Sequence, residues 1–251
     1  MLGIIGAMEE EVEILHSCMK IDRTVEIGGF KFFYGKLEEQ RVVLLKCGIG
    51  KVNAAVGCAL MIHVFLSSKD SPQCVINTGC AGGINPKNIE PELNFGDVVI
   101  STKLVQHDFD ITAFGHEIGQ IPGLDRFFTA DEKAISKVIK AIDALKRENK
   151  LPNDLKYVQG LIASGDVFMS DGEHINKVVK LFPDLRAVEM EGAAIAQTCT
   201  LLNTPFVVLR AMSDIAGEES PVKFDEYLPT AAKHTSEIVK YFAKIFHSVL
   251  I

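Results

Sequence analysis

The 251-residue chain has no CxxC pair among its six cysteines and no block of five or more Lys and Arg. Its longest apolar runs, such as Val42–Leu45 and Pro205–Leu209, fall far short of the roughly 18 residues that cross a bilayer. Each absence excludes a class. Cys18, Cys47, Cys58, Cys74, Cys80 and Cys199 stand mostly among apolar neighbours and read as reduced thiols, behaving as small hydrophobes. With 26 Lys+Arg against 33 Asp+Glu and a net charge of −7, the chain offers no basic face to DNA or RNA phosphates. Nucleic acid and membrane are therefore excluded as partners. The opening MLGIIGAMEEEV places carboxylates where an export signal requires a longer apolar stretch after a basic start. A cytoplasmic protein is expected.

Several motifs are also missing. Neither GxGxxG nor GxxxxGK[ST] occurs where a nucleotide phosphate needs it, and Gly48-Ile49-Gly50-Lys51 lacks phosphate-loop spacing, which disfavours ATP and dinucleotide chemistry. Ser164 and Ser213 lack the GxSxG elbow of a serine hydrolase. His107, Asp108 and Asp110 have no second matched His, so they read as a hydrogen-bonded loop before they read as a metal site. His16, His63, His116, His174, His234 and His247 have no partners that spacing identifies.

What is present is an alternation of apolar strands and helices. Leu2–Ala7 reads as a strand leading into a helix that opens on Met8-Glu9-Glu10-Glu11, where carboxylates favour the helix dipole. Val25–Ile27, Phe30–Tyr34 and Val42–Lys46 read as a meander with turns at Gly28-Gly29 and Glu38–Gln40. A helix follows Gly48–Gly50 to about Leu66, and Cys74–Asn77 is a buried strand that stops in the small residues Thr78–Gly83. Gly96–Leu104, Tyr157–Ala163, Ala187–Glu189 and Phe206–Ala211 read as strands. Ala130 to about Asn149 and Gly192–Leu202 read as helices, and Phe114–Gly123 and Asn85–Pro91 as surface loops. A closing amphipathic helix is expected over Pro229–Val249, with Ile238, Phe242, Ile245 and Val249 at helical spacing. These elements predict one α/β domain over residues 1–251, with a central mixed sheet flanked by helices on both faces.

Ligands of open α/β sheets bind at the carboxyl ends of strands. Four polar groups are expected there: Met8–Glu11, Thr78–Gly83, Val188–Glu191 and Arg210–Asp214. Carboxylates in three of the four suit the splitting of a glycosidic bond, which needs an acid at the leaving group, a base for water and a group on the sugar. Taken singly they have plainer readings. Glu11 suits a helix cap, Glu189 and Glu191 suit surface charge, and Asp214 suits the N-cap of a following turn.

Six strings carry a resemblance beyond spacing: GIIGAMEEE (3–11), NTGCAGG (77–83), TAFGHEIGQIPG (112–123), ASGDVF (163–168), VEMEGAAIA (188–196) and RAMSD (210–214). In this order they resemble the 5′-methylthioadenosine/S-adenosylhomocysteine nucleosidases of the nucleoside phosphorylase/hydrolase superfamily. The resemblance runs from residue 1 to the final helix. It implies that Glu11 activates water and that Asp214 gives a proton to N7 of adenine, with a pKa raised by burial. It implies Glu191 on the ribose hydroxyls, Met8 and Met190 near the sugar, Phe168 stacked on the purine, and Val167 and Met169 reading the purine edge through their backbone. Arg210 would sit near the water, and Ile49 and Phe224 would line the thioalkyl side. Cys80, Ala81, Gly82, Glu189 and Ser213 complete the substrate-binding set. Phe114 and Pro122 would reach the neighbouring subunit's site in a homodimer. No metal or organic cofactor is implied, and the partner is a small nucleoside.

Two positions depart from the family pattern. Cys80 stands where Ser is common, and Gly217 where many members carry Asp. A purine nucleoside phosphorylase and a futalosine-type hydrolase remain as alternatives, and a non-catalytic nucleoside sensor as a reading from another class. Three carboxylates argue against the sensor. Glu11 beside the attack position would repel phosphate dianion, which favours water over phosphorolysis.

Overall fold

The structure, a computed structural model, describes residues 1–63, 71–87, 89–216 and 220–246. Among the described residues ten strands and six α-helices alternate as expected for an α/β fold. Strand β1 (Leu2–Gly6) is buried along its whole length, the pattern of a strand covered on both faces. It leads into α1 (Glu9–Cys18) and the antiparallel meander β2 (Lys20–Ile27), β3 (Phe30–Leu37) and β4 (Gln40–Lys46). β2 starts earlier than its apolar residues indicate. Lys20 to Val25 form a solvated edge that pairs with β3 through its backbone while burying little.

Helix α2 (Lys51–His63) precedes β5 (Cys74–Gly83), β6 (Val98–Gln106) and the two-residue β7 (Phe128–Thr129). The expected end of α2 near Leu66 lies outside the described residues. Helix α3 (Glu132–Arg147) begins at Asp131, whose carboxylate accepts from Ala134 N–H at 2.8 Å, and ends on the basic pair Lys146-Arg147, both favourable to the dipole. After β8 (Tyr157–Ser164) comes α4 (Gly172–Leu181), a helix the sequence reading missed. Its signals are the Asp171 cap, which accepts from Glu173 and His174 N–H at 3.2 Å, and the buried pair Ile175 and Val178. Strand β9 (Leu185–Glu189), α5 (Gly192–Leu201), β10 (Phe206–Ile215) and α6 (Ser220–Phe246) complete the chain.

Three expected boundaries are corrected. β5 does not stop at Asn77 but pairs through Gly83, and β10 does not stop at Ala211 but runs through Asp214. Small and polar residues look like loop in a sequence, yet their backbones continue the parallel ladder, and the two strands align Gly82 with Asp214. Pro229 does not begin the last helix. It lies inside α6, which extends back to Ser220 and packs on β10, β5, α1 and α3. His247 and Val249 lie outside the described residues.

The strand order is β10-β6-β8-β9-β5-β1-β4-β3-β2, and β10 also pairs with β5. Five strands therefore close on themselves, and β1 to β4 extend from the closed part as an open wing. Closure brings chain segments far apart in sequence side by side: Gly82 opposite Val188, Ser164 opposite Glu189, and Asp214 opposite Gly82. A bulge between Met212 and Asp214 shifts the register at Ser213. Such an irregularity re-aims side chains where a strand meets a site. Helices α2 and α5 pack on each other, and α6 packs on α1 and α3. No helix among the described residues is long and apolar enough to cross a membrane.

Candidate active site

A cleft with about 630 Å³ of empty space, its open mouth included, lies where β1, β5, β9 and β10 present their carboxyl-terminal residues. Met8 and Glu11 enter it from the start of α1, and Ile49 from the turn before α2. Cys80, Ala81 and Gly82 come from β5, and Val167, Phe168 and Met169 from the loop after β8. Glu189, Met190 and Glu191 come from the end of β9, Ser213 and Asp214 from β10, and Phe224 from α6. Ala7 and Val188 also line the cleft. Both stand in strings marked in the sequence but carry no substrate role there, because apolar residues beside a motif look the same as core.

Glu11 both caps α1 and lines the cleft. Its Oε2 accepts from the N–H groups of Ala7 at 2.7 Å and Met8 at 3.0 Å, closing the first turn of α1. Its Oε1 turns to β5, accepting from Cys80 N–H at 3.0 Å and from the Cys80 thiol at 3.4 Å. The carboxylate is 4% exposed and lines the cleft. Gly79 lets it approach: a Cβ there would run into the Glu11 carboxylate and the Arg210 guanidinium. Burial, then the Glu11 charge, pushes the Cys80 thiol up, so it stays a donor.

Glu189 and Glu191 are buried rather than surface charges. Glu189 Oε2 accepts from Glu191 N–H at 3.1 Å and Gly192 N–H at 2.7 Å, satisfying donors at the start of α5, and Ser164 Oγ donates to Oε1. Glu191 Oε1 accepts from Gly50 N–H at 2.8 Å. Burial and the neighbouring Glu189 push the Glu191 carboxyl up to about 8, while Arg210 and the Gly50 N–H pull the other way.

Arg210 does not line the cleft. Its side chain is fully buried in β10, donating to Asn77 Oδ1 at 2.7 Å and to Glu189, with Glu191 Oε2 at 3.9 Å. Burial alone would lower its pKa, but Glu189, Glu11 and Glu191 outweigh that and hold the proton on. It is the cation beneath a cluster of carboxylates. Asp214, 2% exposed, is no N-cap: it sits within β10 and accepts from Ser213 Oγ at 3.0 Å.

Phe168 and Phe224 meet edge to face, with ring centroids 5.8 Å apart, and form an apolar wall with Ile49. Phe114, on a 3₁₀ turn over Thr112–Phe114, is 82% exposed, and Pro122 is exposed too. Neither lines the cleft of its own chain. Asp108 is engaged by Lys51 Nζ at 2.6 Å and Asp110 by Thr112 N–H at 2.9 Å. Among the described residues no group of three or more His, Cys, Asp or Glu is placed to hold a metal ion.

The cleft therefore has a carboxylate held against β5, a second within β10, two more above a buried arginine, and a wall of Phe168, Phe224 and Ile49. Fold and site define the class. A family model described as "Phosphorylase superfamily" matches residues 1–244. A 5′-methylthioadenosine/S-adenosylhomocysteine nucleosidase from Pseudoalteromonas translucida is 48% identical over 238 residues, 95% of this chain and 94% of that protein. The solved nucleosidase of that name from Neisseria meningitidis, in complex with methylthio-immucillin-A, is 43% identical with a TM-score of 0.87, covering 97% of this chain and 98% of the other. A solved futalosine hydrolase of Helicobacter pylori is 31% identical with a TM-score of 0.83, covering 96% of each chain. The chain belongs to the 5′-methylthioadenosine/S-adenosylhomocysteine nucleosidase family within that superfamily.

Proposed function

We propose that the chain hydrolyses the N-glycosidic bond of 5′-methylthioadenosine and S-adenosylhomocysteine, releasing adenine and the 5′-thio-ribose. The observation that carries this reading is that Glu11 and Asp214, both buried, line one cleft. Breaking C1′–N9 builds positive charge on the ribosyl ring and negative charge on the purine. A base near C1′ and an acid near N7 therefore act on opposite ends of one transition state.

In this reading Glu11 takes a proton from water as its oxygen bonds to C1′, and Asp214 protonates N7 as N9 departs. Glu191 holds the ribose hydroxyls and Arg210 offsets the carboxylates from below. Phe168 faces the purine, whose edge meets the backbone of Val167 and Met169. Ile49 and Phe224 bury the 5′ substituent, with Met8 and Met190 beside the sugar. Phe114 and Pro122, exposed in one chain, complete the site of a second copy in a cytoplasmic homodimer. No cofactor takes part.

Assaying adenine release from methylthioadenosine with and without phosphate tests the reaction. Equal rates and free 5-methylthioribose are expected, whereas ribose-1-phosphate chemistry would make the chain a phosphorylase. The Helicobacter pylori futalosine hydrolase supports a second reading, in which the 5′ group is that of an aminodeoxyfutalosine. Relative kcat/KM on methylthioadenosine, adenosylhomocysteine and 6-amino-6-deoxyfutalosine ranks the two.

A further inference from the structure

The turn that carries Ile49 and the loop that carries Phe168 are tied together outside the cleft, through Lys51. Its backbone N–H donates to Asp166 Oδ1 at 2.8 Å. Its ammonium donates to Asp108 Oδ1 at 2.6 Å and to Gln106 Oε1 at 3.1 Å. The other oxygen of Asp108 accepts from Asp166 N–H at 2.9 Å, which closes the clasp. Lys51 follows Ile49 and Gly50 directly, and Asp166 stands one residue before Val167. The same carboxylates therefore hold the apolar side of the cleft and the aromatic side at a set separation.

The clasp is built rather than incidental. The Lys51 and Asp108 side chains are only 16% and 28% exposed, so the pair is shielded relative to the freely solvated pairs whose worth is near zero. Gly50 has φ +97°, in the left-handed region, and a Cβ there would lie 3.2 Å from Asp166 Oδ1. A Cβ on Gly165 would run into the buried His107 ring, so the loop backbone lies directly against that ring. Gln106 is in turn held by Gln197 of α5, at 2.7 Å. None of Lys51, Gln106, Asp108 and Asp166 lines the cleft.

We infer that Lys51 is a positioning residue which, through Asp108 and Asp166, sets the distance between Ile49 and Phe168 and with it the preference for an apolar 5′ substituent. The inference rests on the nucleosidase reading above. A thioalkyl group gains by filling the apolar wall, whereas the 5′-hydroxyl of adenosine has little to lose when that wall loosens.

The test is Lys51→Met, which keeps the backbone N–H on Asp166 and removes only the ammonium. The kcat/KM for methylthioadenosine is expected to fall about tenfold while that for adenosine moves less than about twofold, chiefly through KM. Lys51→Arg restores most of the ratio, and Asp108→Asn added to Lys51→Met changes it little further. If Lys51→Met does not fold, Asp108→Asn alone reads the same ratio, since its amide oxygen still accepts from Asp166. Equal losses on both substrates, or an unmoved ratio in an active protein, overturn the inference alone. A wild-type protein that releases no adenine from methylthioadenosine overturns the nucleosidase reading as well.

Discussion

Glu191 receives the N–H of Gly50 at 2.8 Å, so the residue at the N-cap of α5 is bound to the turn that starts α2. Burial and the Glu189 charge raise its carboxyl from the usual 4.5 to about 8. The sign follows from linkage. A carboxyl that holds its proton more tightly when folded contributes stability that is complete below 4.5 and is lost as pH rises to about 8. Wild type is therefore expected to lose melting temperature across that window relative to Glu191→Gln, which has no proton to lose. Parallel thermal melts check this. A difference that stays constant with pH would show that Glu191 is ionised in the folded state throughout.

Glu11 divides its oxygens between the first turn of α1 and Cys80 at the cleft, which makes two substitutions informative together. Glu11→Gln leaves an amide oxygen for Ala7 and Met8 but turns its NH2 on the Cys80 N–H and offers no base, so turnover should drop at least about 100-fold while the helix cap persists. Glu11→Ala also removes the cap and should cost a further stability loss of about 1 kcal/mol. Rates of adenine release beside urea titrations separate the two effects. Glu11→Gln retaining more than a tenth of wild-type activity would remove it from the proposed chemistry.

The cysteines lead to a labelling experiment. Cys18 is exposed and the other five are buried, with the thiols of Cys74 and Cys80 both pushed up by burial, Cys74 to about 12. One thiol should react quickly with an aromatic disulfide reagent, and Cys18→Ser should abolish that phase. Cys80→Ser keeps a donor to Glu11 Oε1 and should stay within about fivefold of wild-type turnover, whereas Cys80→Ala falls further. A Cys80→Ala protein as active as wild type would show that the side-chain hydrogen bond to Glu11 is idle.

Much of this site was legible in the sequence because its residues stand in short strings. Glu11, Glu189, Glu191 and Asp214 were marked as carboxylates near strand ends, and the structure gathers them with the Gly82 backbone. What was not legible depends on pairing. Thr78–Gly83 and Met212–Asp214 read as loop because strand propensity resides in β-branched and aromatic side chains, whereas the ladder needs only backbone. Nothing near Arg210 in the sequence shows that Asn77 and Glu189 hold it beneath the floor of the cleft instead of within it. The start of α6 was hidden because Pro229 looks like a first-turn residue, and packing against β10 and β5 decides otherwise. The role of Lys51 had no local signal, since its partners at 106, 108 and 166 come from β6 and two loops.

Asp214 gives the sharpest separation of binding from chemistry. It faces Gly82 across a bulged ladder, and a Cβ on Gly82 would stand 3.2 Å from its Oδ2, so the carboxyl is confined by backbone on that side. Ser213 Oγ donates to Oδ1, an oxygen that Asn can still present. Asp214→Asn therefore preserves shape and the serine contact while removing the acidic proton. The expected result is a loss in kcat of about 10²- to 10⁴-fold, with KM for methylthioadenosine within a few-fold of wild type. Adenine affinity measured by calorimetry should survive, because the aromatic wall and the Val167–Met169 backbone are untouched. If KM rises while kcat holds, Asp214 serves to bind the purine, and the proton for N7 must come from another group.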